Sequence, residues 1–224
     1  MNAKMRKFEL IVFDWDGTLM DSAATIVHAI QSASRDLGQP VPDDATARHV
    51  IGLGLEEALR HVAPNLPTTD YPKMAERYRH HYFTRNHELF LFEGVRELLD
   101  ELEAQGFTLA VATGKSRAGL DHALDHFGLR PRFRALRTAD QCLSKPHPQM
   151  LFELMEALGT TPERTLMVGD TTHDLQMAQN AGTASVGVSY GAHPEVALRA
   201  LKPLACVDSV AELRQWFQKT NVRL

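Results

Sequence analysis

Residues 10–13, Leu10-Ile11-Val12-Phe13, form an unbroken apolar run that stops at two carboxylates one residue apart, Asp14 and Asp16, followed by Gly17. A short apolar run without polar alternation reads as a strand buried on both faces of a sheet. Comparable runs recur at 107–112, 133–136, 165–168, 184–188 and 204–207. From Gly94 onward they alternate with helical patterns at 95–105, 116–127 and 149–158, with stretches ending at 181 and 201, and with a last one at 210–218. Such alternation predicts an α/β fold, with a doubly wound, mostly parallel sheet in a Rossmann-like core and helices on both faces.

The alternation is interrupted directly after the first strand. Ile26, Val27, Ile30, Ala33, Ser34 and Leu37 recur at helical spacing until Gly38, with Asp21-Ser22 at the N-cap position. Further helical patterns cover 45–51, 55–62 and about 71–85, the first two separated by Gly52-Leu53-Gly54, and no buried strand is read between 21 and 92. The pattern therefore predicts an all-helical cap domain, 22–92, inserted into a catalytic core formed by 1–21 and 93–224.

Composition adds exclusions. The 224 residues carry a formal net charge of −4, without the basic footprint of a nucleic-acid binder. The two cysteines, Cys142 and Cys206, have neither a disulfide framework nor a zinc-type spacing. Lys4, Arg6 and Lys7 precede only four apolar residues, too few for a signal segment, and no stretch approaches a membrane span. The expectation is a cytoplasmic protein, monomer or homodimer, with no membrane or nucleic-acid partner.

Three predicted strand ends deliver polar groups to one crevice, the usual ligand position of an open α/β sheet: Asp14 with Asp16, Thr113 with Lys115, and Asp170 with Asp174. Clustered carboxylates repel, and a hard divalent cation resolves the conflict; oxygen-only donors suit Mg2+. Its expected ligands are an Asp14 oxygen, the Asp16 backbone carbonyl and the Asp170 carboxylate, with Asp174 as a ligand or as support for one. Lys145 can pair with phosphate and with Asp14. The Thr113 hydroxyl can bond a phosphate oxygen, and turn amides after Asp14 and Thr113, beginning with Trp15 and Gly114, can form an anion nest. Gly17 and Gly114 allow close backbone approach. Asp14 is a workable nucleophile for phosphorus, and Asp16 is free to protonate the leaving oxygen and then deprotonate water.

The four segments Asp14-Trp15-Asp16-Gly17-Thr18, Thr113, Lys145-Pro146-His147-Pro148 and Gly169-Asp170-Thr171-Thr172-His173-Asp174 resemble, in order and placement, the motifs of the haloacid dehalogenase superfamily of hydrolases. The helical insertion is most similar to that of the phosphoglycolate phosphatase-like branch. The resemblance implies a Mg2+-dependent phosphatase acting on a small phosphomonoester metabolite, such as phosphoglycolate, through an aspartyl-phosphate. Asp14 would be nucleophile and Asp16 acid/base, with Thr113 and Lys145 on the phosphate and Asp170 and Asp174 on the metal. A phosphomutase uses the same motifs and remains the alternative; a dehalogenase would not need the acid Asp16, and a non-catalytic phosphate-binding regulator would not need so complete a set.

Other signals read more weakly. Arg48, before the glycine turn, is a candidate substrate contact or a surface ion-pair partner. His122 and His126 have i, i+4 spacing but no third ligand, His80-His81 reads as a solvated basic face, and His173 as a residue of the crevice rim.

Overall fold

The apolar runs become strands in the predicted order. The computed structural model describes residues 7–85 and 89–220; Lys4 and Arg6 lie outside them. The chain begins with β1 (Leu10–Phe13) and β2 (Met20–Asp21). It then builds α1 (Ala23–Asp36), α2 (Asp44–His49), α3 (Leu55–Val62) and α4 (Tyr71–Thr84), and returns through β3 (Phe90–Leu91). The remainder runs α5 (Val95–Ala104), β4 (Thr108–Thr113), α6 (Arg117–Phe127), β5 (Ala135–Thr138), α7 (Gln149–Leu158), β6 (Thr165–Gly169), α8 (Thr172–Ala181), β7 (Ala184–Val188), α9 (Glu195–Ala200), β8 (Ala205–Val207) and α10 (Val210–Thr220).

Six strands form one sheet in the order β5-β4-β1-β6-β7-β8, every pairing parallel. β1 is thus the inner strand from which the chain moves outward twice, to β4 and β5 on one side and to β6, β7 and β8 on the other. Ligands of open α/β sheets bind beyond the carboxyl ends at such a reversal.

The strand periodicity of two explains why β1 is apolar throughout. Leu10 and Val12 enter a core with Met150, Leu151 and Leu154 of α7 and Met177 of α8. Ile11 and Phe13 enter the opposite core with Leu98 and Leu99 of α5, Leu120 and Leu124 of α6, and Leu213 and Phe217 of α10. No residue of β1 faces water, so its first polar side chain is the one that leaves the sheet, Asp14.

Two differences from the sequence pattern are local. β5 starts two residues later than read, because Arg130–Arg132 form a tight helical turn that spends the preceding residues on reaching the sheet edge. Met20 pairs with Leu91 and Asp21 with Phe90 in a two-stranded antiparallel ribbon, through which the chain leaves and re-enters the core. Strands of two residues have no periodicity to read.

Within the helical insertion, Ile26, Val27 and Ile30 of α1 share a core with Met74 and Tyr82 of α4. The Tyr71 hydroxyl donates to Ala63 O at 2.8 Å, closing the α3–α4 connection, and Arg77 Nε bonds Asp36 Oδ2 at 2.6 Å. Among the described residues, no helix is long and apolar enough to cross a membrane.

Leu99 is completely buried between α5 and the sheet. Leu99→Ala is expected to lower the free energy of unfolding by about 2–5 kcal/mol, through lost burial and the cavity left behind, as read by urea denaturation.

Candidate active site

Asp14 stands one residue beyond β1, its N–H donating to Val168 O at 2.9 Å so that the ladder to β6 fixes its backbone. Its Oδ1 accepts from Lys145 Nζ at 2.5 Å, and the same ammonium lies 2.6 Å from Asp174 Oδ1. All three side chains are buried. Lys145 arrives on the loop between β5 and α7. Asp174 belongs to the first turn of α8, where its Oδ2 accepts from the Thr171 N–H at 3.1 Å and the Thr171 hydroxyl at 2.7 Å. This reciprocal cap fixes the carboxylate as well as the helix end. Asp170, directly after β6, accepts from the Thr18 hydroxyl at 2.8 Å on Oδ1 and from the Ala192 N–H at 2.7 Å on Oδ2.

These loops approach so closely that side chains would not fit between them. A Cβ on Gly17, whose φ is +85°, would lie 2.2 Å from Asp170 Oδ2. The Gly17 N–H is itself bonded to Met20 O at 2.8 Å, so this residue serves the site by lacking a Cβ rather than by offering an amide.

Asp14, Asp170 and Asp174 offer ligand oxygens that all lie within 4.8 Å of one another, against one ammonium. Burial pushes the Asp14 carboxyl well above the usual range; Lys145 pulls it back, while Asp174 and Asp170 add to the rise. Burial, with Asp174 next, carries Asp170 up to about 7, against the pull of the Ala192 and Thr18 bonds. Burial also opposes the charge on Lys145, but Asp14 and Asp174 outweigh it and hold the ammonium above its ordinary range. Asp14 Oδ2 is buried without a hydrogen-bond partner. A buried, unpartnered carboxylate oxygen beside two further carboxylates fits a hard divalent cation, which supplies the missing positive charge.

Asp16 belongs to a second cluster. Its Oδ1 accepts from the Ser22 hydroxyl at 2.8 Å, and Lys115 Nζ reaches Oδ1 at 3.0 Å and Oδ2 at 2.9 Å. Lys115 Nζ also donates to the Tyr82 hydroxyl of α4 at 3.0 Å. The sequence pattern places Ser22 at a helix N-cap, and it occupies that position, but its side chain makes no cap bond and turns to Asp16 instead. Lys115 was visible only as a polar strand-end residue, and Tyr82 carried no signal beyond helical spacing.

Other predicted residues sort by what they reach. Thr113 is buried beside the crevice, its hydroxyl accepting from the Lys115 N–H at 3.2 Å. A Cβ on Gly114 would stand 2.4 Å from Leu53 O and 2.5 Å from Gly52 O, so this glycine admits the cap turn. The Trp15 side chain is buried, edge-on to Phe133 with ring centroids 6.3 Å apart, leaving its backbone as the part that can serve an anion. Arg48 is not among the residues that line the crevice, whereas Gly52, Leu53 and Gly54 are. His122 and His126 stack along α6 and, among the described residues, join no group of metal-type ligands.

The cap turn is seated on the core. The Gly54 N–H donates to the Ser144 hydroxyl at 2.9 Å, and the His49 carbonyl at the end of α2 accepts from His173 Nε2 at 2.8 Å and His193 Nε2 at 3.1 Å. The Thr172 N–H donates to His193 Nδ1 at 3.0 Å, which fixes the tautomer that donates from Nε2. His173 and His193 thus hold the cap turn from the core without being among the residues that line the cavity, and His193 was missed because its contacts join distant loops. Between cap and core remains a cavity of about 670 Å3 with Asp14, Asp16 and Thr113 among its lining residues.

The family model described as haloacid dehalogenase-like hydrolase matches residues 11–188. The chain is 40% identical over 210 residues to a probable phosphatase, IndB, of Dickeya dadantii, covering 91% of each protein. It is 34% identical to a 5'-nucleotidase of Pseudomonas aeruginosa, over 93% of this chain and 95% of the other. The crystal structure of a predicted phosphoglycolate phosphatase from Haemophilus somnus resembles this fold with a TM-score of 0.84 at 29% identity, covering 96% of this chain and all of that one.

Lys145→Met leaves two buried carboxylates without their shared counter-ion. The expected loss is about 3–5 kcal/mol of unfolding free energy at neutral pH in urea denaturation without added cation.

Proposed function

We propose, on the premise that the chain belongs to the haloacid dehalogenase-like hydrolase family and is a phosphoric monoester hydrolase, that it cleaves a small phosphorylated metabolite by way of a phosphoryl group carried on Asp14. The observation that carries this reading is the Asp14 carboxylate itself: buried at the end of the inner strand, one oxygen on Lys145 and the other unpartnered. In the first step an Asp14 oxygen bonds to phosphorus while the bond from phosphorus to the ester oxygen breaks, and that oxygen takes a proton from Asp16. In the second, Asp16 removes a proton from water as the water oxygen attacks phosphorus, releasing phosphate and restoring the Asp14 carboxylate.

Lys145 offsets the repulsion between Asp14 and the phosphate, and Thr113, Gly114 and the Trp15 backbone receive its oxygens. Ser22 and Lys115 hold the Asp16 carboxylate apart from the Asp14 cluster, which suits two separate roles. Mg2+ is the cation we assign to Asp14, the Asp16 carbonyl and Asp170, with Asp174 as ligand or support; when bound it neutralises phosphate charge and polarises the phosphoryl group. Residues 22–92 act as the cap that excludes water from the crevice. Two free cysteines accord with a cytoplasmic setting.

Asp14→Asn is expected to lower phosphate release by about 10^3-fold or more, and a chelator to abolish it in the wild type, both followed in a phosphate-release assay. Asp16→Asn is expected to slow turnover while Mg2+ still binds by calorimetry, because its backbone carbonyl is retained.

The raised Asp170 sets a pH dependence. Its protonated form stabilises the fold fully below the unfolded value near 4, and that contribution is lost as pH rises through about 7. A cation needs the ionised form and offsets the loss. The Mg2+-induced rise in Tm is therefore expected to be larger at pH 8 than at pH 6, and an equal or smaller rise at pH 8 would remove Asp170 from the ligand set.

A further inference from the structure

The cavity above the catalytic floor is large for a short substrate. Its volume is about 670 Å3, within the range of sites that enclose drug-sized ligands. Even at about 30 Å3 per non-hydrogen atom, the share of a water molecule in the liquid, phosphoglycolate fills less than half of it. The rest would hold water beside the phosphorylated aspartate, which is what a closed cap serves to prevent.

The walls indicate what fills the space. Ile26 and Ile30 of α1, Ile51 and Leu53 of the cap turn, and Tyr78 and Phe83 of α4 line the cavity. The Tyr78 and Tyr82 rings lie nearly parallel, 5.9 Å apart at 25°, and Phe83 meets Tyr82 edge-on, so the α4 wall is an aromatic surface.

The charged groups argue against a carboxylated leaving group. Lys115 is committed to Asp16 and Tyr82. Arg60 is paired with Glu56 at 2.7 Å and stacked over the Tyr71 ring at 4.7 Å. That leaves Arg79, which is exposed, while Glu56 and Glu57 also line the cavity. A small carboxylate anchored by binding energy needs a desolvated cation aimed at it, and these walls present aromatic faces and acids instead.

We infer that the substrate is a phosphomonoester whose leaving group is uncharged, of about nucleoside size and carries a flat ring that packs on the α4 aromatic wall, in preference to a short carboxylated ester. This rests on the phosphatase reading and names its substrate class. Nucleosides and simple aryl alcohols share the flat ring, and a nucleoside also fills the volume.

The test compares kcat/KM of the full, Mg2+-loaded chain for nucleoside 5'-monophosphates, p-nitrophenyl phosphate, a hexose phosphate and phosphoglycolate. The expected result is a value for the best ring-bearing ester at least about tenfold above that for phosphoglycolate. Tyr78→Ala is expected to shrink that ratio by about fivefold or more, through KM rather than kcat, and the exposed Phe83→Ala gives the same reading should the first variant fold poorly. A nucleotide ahead of p-nitrophenyl phosphate supports the nucleoside-sized class. Phosphoglycolate or the hexose phosphate at or above the ring-bearing esters overturns the inference while leaving the phosphatase intact. No Mg2+-dependent phosphate release from any of the four overturns the phosphatase reading itself.

Discussion

One ammonium group holds the catalytic edge of this protein together. Lys145 Nζ sits between Asp14 and Asp174, at 2.5 and 2.6 Å, and all three side chains are shut away from water. Burying a charge is tolerated only when it is paired, and here one cation faces three carboxylates. Burial raises the carboxyls of Asp14 and Asp170, the neighbouring carboxylates add to the rise, and one Asp14 oxygen is left without a partner. The surrounding loops follow from that constraint. Thr18, Thr171 and the Ala192 amide supply hydrogen bonds to the carboxylates, and Gly17 and Gly169 leave room for Asp170 and Asp174 to enter. A site with unmet negative charge and fixed geometry suits a cation.

The helical insertion is tied to the second carboxylate cluster. Asp16 is bound through Lys115 to Tyr82 of α4, so the second carboxylate beyond β1 is connected to the inserted helices that wall the cavity. The cap turn is located by main-chain contacts, with Gly52 and Leu53 carbonyls close over Gly114 and the His49 carbonyl caught by two core histidines. Because these contacts use carbonyls rather than particular side chains, the turn can keep its seat while the neighbouring side chains set the shape and chemistry of the cavity.

The sequence by itself determined the sheet, the insertion and the four chemical segments. An apolar run such as 10–13 can be solvated on neither face, so it must be an inner strand, and the carboxylates that end it must emerge at the ligand-binding edge. The same logic put Thr113 and Asp170 at the ends of β4 and β6, the two neighbours of β1. Periodicity and strand-end chemistry are local properties, and they can be read without knowing what lies opposite.

What only the tertiary structure decided is which groups meet across long separations in the chain. Ser22 stands at a helix N-cap and bonds Asp16 instead, and Lys115, just beyond β4, meets Asp16 and Tyr82. Arg48 and the glycine turn are adjacent in sequence, yet the turn lines the crevice and Arg48 does not. The ribbon between 20 and 91 and the histidine contacts to the cap have no periodic signature at all. The physical reason is the same throughout: a side chain's partner depends on the distance and competing donors created when remote loops converge, and those quantities do not exist until the chain has folded.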